Sequence, residues 1–498
     1  MPASLVTSGR TSLCFRGGVG QAPANPSRAV SGPIEGLYVA IDRREFIKAT
    51  AAAGALLVAR PLGALAAPLG PAPFATPRSS RLFPGTYLAH ADLHNHTLQS
   101  DGAGDPAAAF ASMRAAGLDI AALTDHATLG LTDPPGMSSC SECSSVMGID
   151  EAEWERCRAL ADEAQQDGSF TAIRGFEWSS PTLGHVNVWF SERWIDPLHT
   201  GGATAGEGAG QFFHGESDGF FPASLSMGID TIVRTLPTTG SNMSLFYRWL
   251  NSDPKDPVLP GGLDGIAGFN HPGREVGRFG YFKFEPQLRD RLVSVEVFNR
   301  REDYLFEGTD QSVQSPINEC LNAGWKVGLL GVTDEHGTDW GYPDGKGRTG
   351  LWVRSLDRNG VKEALLARRF FSTRLRGLRV DASANGTQMG GTLTHTRGPI
   401  EFQVDIDRGK EWWDLPLKVQ VLQSGTFMPT VVDSFDIRYP PGGSPVPTFT
   451  TEIDIVNGDW VVLRITDPAT PADGRAKDEW ASFGNAIAYA SPFFLQAP

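Results

Sequence analysis

The chain is poor in the features that mark several large protein classes. It has five cysteines in 498 residues, four of them beyond residue 130, too few for a disulfide-built scaffold. No cluster of Lys or Arg stands out against a balance of 43 basic and 57 acidic residues, so no nucleic-acid-binding face is expected. The formal charge of −14 reads as a soluble acidic surface. Long apolar runs are missing too. The best candidate, ATAAAGALLVARPLGALAA, is broken by Arg60 and Pro61 and is too short to span a bilayer, so no stable membrane anchor is expected.

That same run follows DRREFIK, residues 42–48. A paired arginine ahead of a weakly apolar Ala/Gly/Leu stretch resembles a twin-arginine export signal, with Arg43 and Arg44 as the pair read by the export machinery. Ala64-Leu65-Ala66 offers a small-residue cleavage site. Residues 1–67 are therefore expected to be a leader, 68–85 a Pro-rich linker, and the mature protein periplasmic or secreted. That compartment permits disulfides, and Cys140, Cys143 and Cys157 lie close enough in sequence for one local pair. A zinc clip at C-x-x-C is the lesser option, since no second pair follows.

Seven short apolar runs then alternate with helical stretches: TYLAHADLH, DIAALT, FTAIRGF, HVNVWF, DGIAGF, LVSVEVF and KVGLLGVT. Repeated β-then-α units predict parallel strands, closed into a barrel at this size. Ligand-type residues flank the runs. The first ends in DLHNHT, the second in TDHA, the third in EW, the fifth in NHPG and the seventh in TDEHG, while the fourth opens as GHVNV. In such barrels the C-terminal strand ends share one face, which would bring these groups together. His94 and His96 are spaced to point the same way from one extended segment, and so are Asp334 and His336.

The order DLHNHTLQSDG, LTDH, GFE…GHVNV, FNHPG, VEVFN and GVTDEHG resembles the PHP (polymerase and histidinol phosphatase) family over about residues 87–375. The resemblance implies a distorted (β/α)7 TIM-like barrel around two to three divalent metal ions, with Zn, Mn and Fe all compatible with the donors. Carried over residue by residue, it places metal ligands at His94, His96, Asp101, His126, Glu177, His185, His271, Asp334 and His336. It groups His94, His96, Glu177 and Asp334 as one site, Asp101, His126 and His336 as a second, and Glu177, His185 and His271 as a third. It further implies that a metal-bridging hydroxide attacks the substrate.

Around these ligands, Asp92 and Asp125 could orient neighbouring histidines. Glu296 and Asn299 match the family motif but could simply shape the barrel. His90, His199, His214 and His395 fit no motif and are expected on the surface or in loops. Arg174, Arg274, Arg300 and Arg348 lie near strand ends, where a guanidinium could grip an anion or form an ordinary salt bridge. Arg274 joins His126, Asp334 and His336 as the candidate catalytic set. Residues 191–262 form a long aromatic-rich insertion, read equally as a lid or as a packing module.

Beyond residue 376 helical periodicity stops, and short runs such as IEFQVDI, LKVQVLQ and DWVVLRIT predict a β-sandwich-like domain over 377–498. It resembles the all-β tails of exported PHP proteins of the carbaryl-hydrolase-like branch. The barrel itself would span 86–376. The expected activity is ester hydrolysis, phosphate mono- or diesters first, with carbamate or carboxylic esters as the alternative on the same metals. The amidohydrolase superfamily also opens on H-x-H, but no lysine ends a run here to bridge metals. A binding module on an inactive barrel would show missing ligands, and none is missing.

Overall fold

The computed structural model describes residues 78–127, 148–180, 183–195, 241–257, 260–274, 278–305, 315–341, 346–409, 416–438, 445–469 and 485–498. The twin-arginine pair, the leader, most of the linker, Cys140, Cys143, His199, His214 and the Phe-rich part of the insertion lie outside the described residues. Gly70–Pro498 is one compact unit. Among the described residues, no helix is long and apolar enough to cross a membrane.

The first half alternates strands and helices. Strands β1 (Tyr87–Asp92), β2 (Ile120–Leu123) and β3 (Thr171–Ser180) run parallel, joined through helices α1 (Pro106–Ala115) and α2 (Glu151–Ala164). Both helices start where the sequence supplies a cap. Asp105 accepts from the backbone of Ala107, and Asp150 and Glu153 form a reciprocal capping box. One face of α2 buries Trp154, Cys157 and Ala161 at helical spacing. Cys157 is therefore a free, packed thiol and not a partner in a local disulfide.

The predicted all-parallel order fails at β4 (Gly184–Trp189), which pairs antiparallel with both β3 and β5 (Ile266–Phe269). For β3 and β4 the reason is chain length: residues 181–183 cannot supply the dozen or so residues a parallel crossover needs. Parallel pairing resumes from β5 to β6 (Leu292–Asn299), which also folds back on the short β7 (Glu302–Asp303), and then from β6 to β8 (Gly328–Val332).

The ladder does not close from β8 onto β1, so the expected closed ring is open at this seam. β9 (Arg348–Val353) occupies the edge of β1 that closure would require, pairing antiparallel along Tyr87–Ala91. Side chains span the gap instead. Thr349 Oγ1 donates to Gly331 O at 2.7 Å and accepts from Gly331 N at 3.0 Å. A side chain at Gly331 would meet the Arg348 carbonyl at 2.3 Å, so only glycine fits this approach. Asp92 accepts from the backbone N–H of Thr333 at 3.2 Å and from its hydroxyl.

From β9 the sheet continues antiparallel through β10 (Phe370–Thr373) into the C-terminal β-rich region. That region holds β11 (Arg379–Ala384), β12 (Thr387–Gln388), β13 (Thr392–Thr394), β14 (Arg397–Asp407), β15 (Leu417–Gln423), β16 (Thr430–Ile437), β17 (Thr448–Asp454), β18 (Trp460–Asp467), β19 (Asn485–Ala490) and β20 (Phe493–Gln496). β11, β12, β14 and β17 make a second sheet. The apolar faces of the two sheets share a core that includes Val380, Phe402, Val404, Val419, Leu463 and Phe493. The described end of the insertion, helix α3 (Ser241–Leu250), is core as well: Phe246, Tyr247 and Trp249 pack with Phe176 and Trp178.

Candidate metal centre

Most predicted ligands sit within a few residues of a strand end; Glu177 lies inside β3, His185 is the second residue of β4, and Asp101 stands nine residues beyond β1. β1 stops at Asp92 and β8 at Val332, before their histidines and aspartate are reached. The two segments meet at an isolated parallel bridge between Asn95 and Glu335, with His96 N–H donating to Glu335 O at 2.9 Å, although Asp334 itself is left-handed at φ +49° rather than extended. That one bridge lies between His94 and His96 on one chain segment and between Asp334 and His336 on the other. It turns all four side chains to the same side.

The donor atoms of the nine residues fall into four overlapping groups, within each of which they lie no more than 4.8 Å apart. These are His96, Asp101, His126 and His336; His94, His271 and Asp334; His94, His96 and Glu177; and His126, Glu177 and His185. The grouping differs from the one the resemblance implies. Asp334 groups with His94 and His271 rather than with His96 and Glu177, His96 also reaches the Asp101 group, and His126 takes the place of His271 beside Glu177 and His185. Glu177 is the hub. Its Oε1 lies 3.2 Å from His94 Nε2, 3.2 Å from His185 Nδ1 and 3.3 Å from His271 Nε2. Its Oε2 lies 2.8 Å from His126 Nδ1 and 3.6 Å from His96 Nε2.

Two observations fit this donor set to cations. His94 Nε2 and His96 Nε2 face each other at 3.0 Å, a separation that a shared proton spans and that also suits two nitrogens on one cation. The electrostatics also call for positive charge. Burial pushes His94 down, yet Glu177, Asp334 and Glu296 outweigh it and hold the ring well above its usual range. Burial likewise opposes His126, which Glu177 and Asp101 lift to about 10. The same couplings overcome burial and hold Glu177 and Asp334 well below the carboxylate range. His96 goes the other way, to about 3, through burial and the nearby His336 and His126, so it stays a neutral donor. Imidazole with carboxylate suits Zn, Mn or Fe.

The orienting groups are not the ones expected. Asp92 serves the seam. Asp125 accepts from Thr97 N at 2.6 Å, Thr97 Oγ1 at 2.9 Å and Ser100 Oγ at 2.7 Å, fixing the 94–101 loop without touching a histidine. The histidine partner is Glu296, 2.7 Å from His94 Nδ1 and accepting the His271 backbone N–H at 2.7 Å. Asn299 donates to Glu296 at 2.7 Å, Asn270 to Glu177 at 2.6 Å, and Ser179 Oγ lies 2.5 Å from His126 Nδ1. Asn270 and Ser179 were missed in sequence, though each stands one or two residues from a ligand.

Of the four arginines, two reach the site. Arg274 donates to Asp334 Oδ2 at 2.9 Å, Asn299 Oδ1 at 2.8 Å and Glu302 Oε2 at 2.8 and 2.9 Å. All three of its nitrogens are engaged, so it braces Asp334 and is not an open anion grip. Arg300 lies 3.3 Å from Asp334 Oδ2 and 3.0 Å from His336 Nδ1, with a side chain 42% exposed. Arg174 stacks on Trp154 and Arg348 donates to Gly341 O, both away from the ligands. His90, expected on the surface, is buried on β1, where burial and the charges of Arg348 and Arg78 lower it to about 3. His395 pairs with Ile453 O in the C-terminal region.

No protein-family model and no curated protein matches the chain. Solved structures do. A two-domain protein from Bacteroides vulgatus, containing a predicted PHP-like metal-dependent phosphoesterase, aligns with 84% of this chain and 98% of its own, at 15% identity and a TM-score of 0.35. An amidohydrolase from Chromobacterium violaceum, with bound sulfate and no metal, aligns with 50% of this chain and 88% of its own, at 15% identity and a TM-score of 0.21.

Proposed function

We propose that the protein is a multinuclear metal-dependent hydrolase of the PHP type, acting on phosphate esters. The observation that carries this reading is the convergence of nine ligand-type side chains on one strand-end face, with Glu177 touching five of the six histidines and a half-exposed arginine at the edge. When bound, two to three ions would supply Lewis-acid activation of water and charge neutralisation. The chain's part is to hold the donors: Glu296 sets the His94 ring, Asp125 sets the 94–101 loop, and Arg274 sets Asp334. Arg300, half-exposed and with its Nε and Nη2 already against Asp334 and His336, is the arginine placed to meet a negatively charged substrate oxygen beside those ligands. We further propose a barrel-like ancestry for the β1–β8 sheet and export through the paired Arg43 and Arg44.

The deciding experiment is a hydrolysis panel on metal-loaded protein, setting aryl phosphate mono- and diesters against aryl carbamates and aryl acetates. Phosphoesters are expected to be cleaved fastest. Faster cleavage of carbamates or acetates would keep the hydrolase reading and remove the phosphoesterase one. No hydrolysis with any of Zn, Mn or Fe would remove both.

A further inference from the structure

The half-exposed Arg300 stands at the tip of the β6–β7 hairpin, at φ +51°, a left-handed conformation that a non-glycine residue holds only when its surroundings impose it. The constraint comes from two sides. On the barrel side, Glu302 of the hairpin binds Arg274 and the Tyr304 hydroxyl. On the other side, the C-terminal β region takes hold. Because β10 pairs with β19, Phe371 opposite Ala490, the Tyr489 ring comes to lie 5.1 Å from that of Phe298 on β6. Its buried hydroxyl donates to Asp303 Oδ2 at 2.8 Å. Behind it, Arg464 Nε donates to the Tyr489 oxygen at 3.2 Å while Arg464 Nη1 donates to Gln420 at 2.5 Å. Arg374, just after β10, donates to Arg301 O at 2.9 Å and lies 4.5 Å over the Phe298 ring.

Phe298, Arg301 and Asp303 thus have partners in the C-terminal β region, Glu302 is held by Arg274 and Tyr304, and Asn299 holds Glu296. We infer that the C-terminal β region forms a working wall of the site: Tyr489, through Asp303, positions Arg300 to receive the anionic oxygens of the substrate. The inference rests on the proposed ester hydrolysis and adds a specificity role to it. Tyr489 touches no ligand and no substrate, so it is a positioning residue. Its loss should weaken anion recognition and leave the metal donors untouched.

The test is a double-mutant cycle in the full metal-loaded chain, with Tyr489→Phe, Arg300→Gln and the pair. Phenylalanine keeps the ring contact with Phe298 and deletes only the hydroxyl. Tyr489→Phe is expected to raise KM for an aryl phosphate about tenfold with kcat nearly unchanged, the scale of one misplaced charge-assisted contact. Metal content and kcat/KM for a neutral aryl acetate should stay within about twofold of wild type. In the Arg300→Gln background the extra loss should shrink below about twofold. Additive losses, equal losses on charged and neutral esters, or no change in KM would each overturn the inference. If Tyr489→Phe does not fold, Asp303→Asn weakens the same link and is read by the same criteria. If wild type cleaves no phosphoester, the phosphoesterase reading falls by that result alone. The cycle is then read from competitive inhibition by inorganic phosphate of whichever ester is cleaved. Coupled weakening of inhibition supports the positioning role, whereas uncoupled or absent inhibition overturns it.

Discussion

Two buried, charge-rich clusters sit in this molecule, and they have little in common beyond their burial. In the metal-centre region, three carboxylates meet six imidazoles whose ring nitrogens face inward. In the C-terminal region, Asp381 and Asp405 oppose each other across β11 and β14, and Arg379 stands opposite Asp407. There each carboxylate is answered by ordinary protein donors. Ser80 Oγ donates to Asp381 at 2.5 Å, and Arg379 and Arg81 donate to Asp405 at 2.9 and 3.3 Å. Among the described residues, no group of converging ligand-type atoms includes Asp381, Asp405 or Asp407. Buried charge by itself therefore says little about function. What distinguishes the first cluster is a set of converging imidazole and carboxylate donors that could hold a cation together.

The comparison breaks most directly at Glu177. Glu177→Ala removes the carboxylate within reach of His94, His96, His126, His185 and His271. More than one equivalent of metal should be lost, relative to the two to three proposed for wild type. kcat/KM should fall by at least about a thousandfold, since a bridging ligand serves several ions. Elemental analysis and steady-state kinetics on the same preparation check this. Loss of one ion or fewer would show that Glu177 does not serve several ions, and active wild type carrying one ion or fewer would reduce the centre to at most a mononuclear site.

A smaller effect is expected one step out, at Glu296. Glu296→Gln keeps the shape but replaces the carboxylate facing His94 Nδ1 and the His271 N–H with a neutral amide. Metal affinity should drop about 10- to 100-fold, the usual scale for a lost orienting carboxylate, with the ligands themselves intact. Competition with a chelator measures it. An unchanged affinity would mean Glu296 only shapes β6.

These expectations mark what the sequence made legible. H-x-H, T-D-H and D-E-H each place chemistry at the end of an apolar run, so the ligand inventory is local information. The orienting roles are not local. Glu296 meets His94 across some 200 residues, and Asp92 and Asp125 look like histidine partners only because they are adjacent in the chain. Strand direction was equally hidden, since an apolar run does not record whether its neighbour is parallel. β4 announces its reversal only through the shortness of residues 181–183. The open seam depends on β9 capturing the edge of β1, a competition between two strands of similar pattern.

The smallest functional effect belongs to the second cluster. Burial raises Asp381 from 3.8 to about 7, with the neighbouring Asp405 adding to the rise and the Ser80 hydroxyl opposing it. A carboxyl raised in the folded state is neutral there while the unfolded chain has already released its proton. Its contribution to stability is therefore complete below about pH 4 and is lost as the pH climbs through 7. Asp381→Asn fixes the neutral form and keeps an acceptor for Ser80. Relative to wild type, the variant should gain stability across that window, by about 2–5 °C in Tm at pH 7.5 and nearly nothing at pH 4.5. Metal content and kcat/KM should not move. A Tm offset that is the same at both pH values would show that Asp381 does not titrate as its burial implies. A loss of metal would erase the distinction between the two clusters.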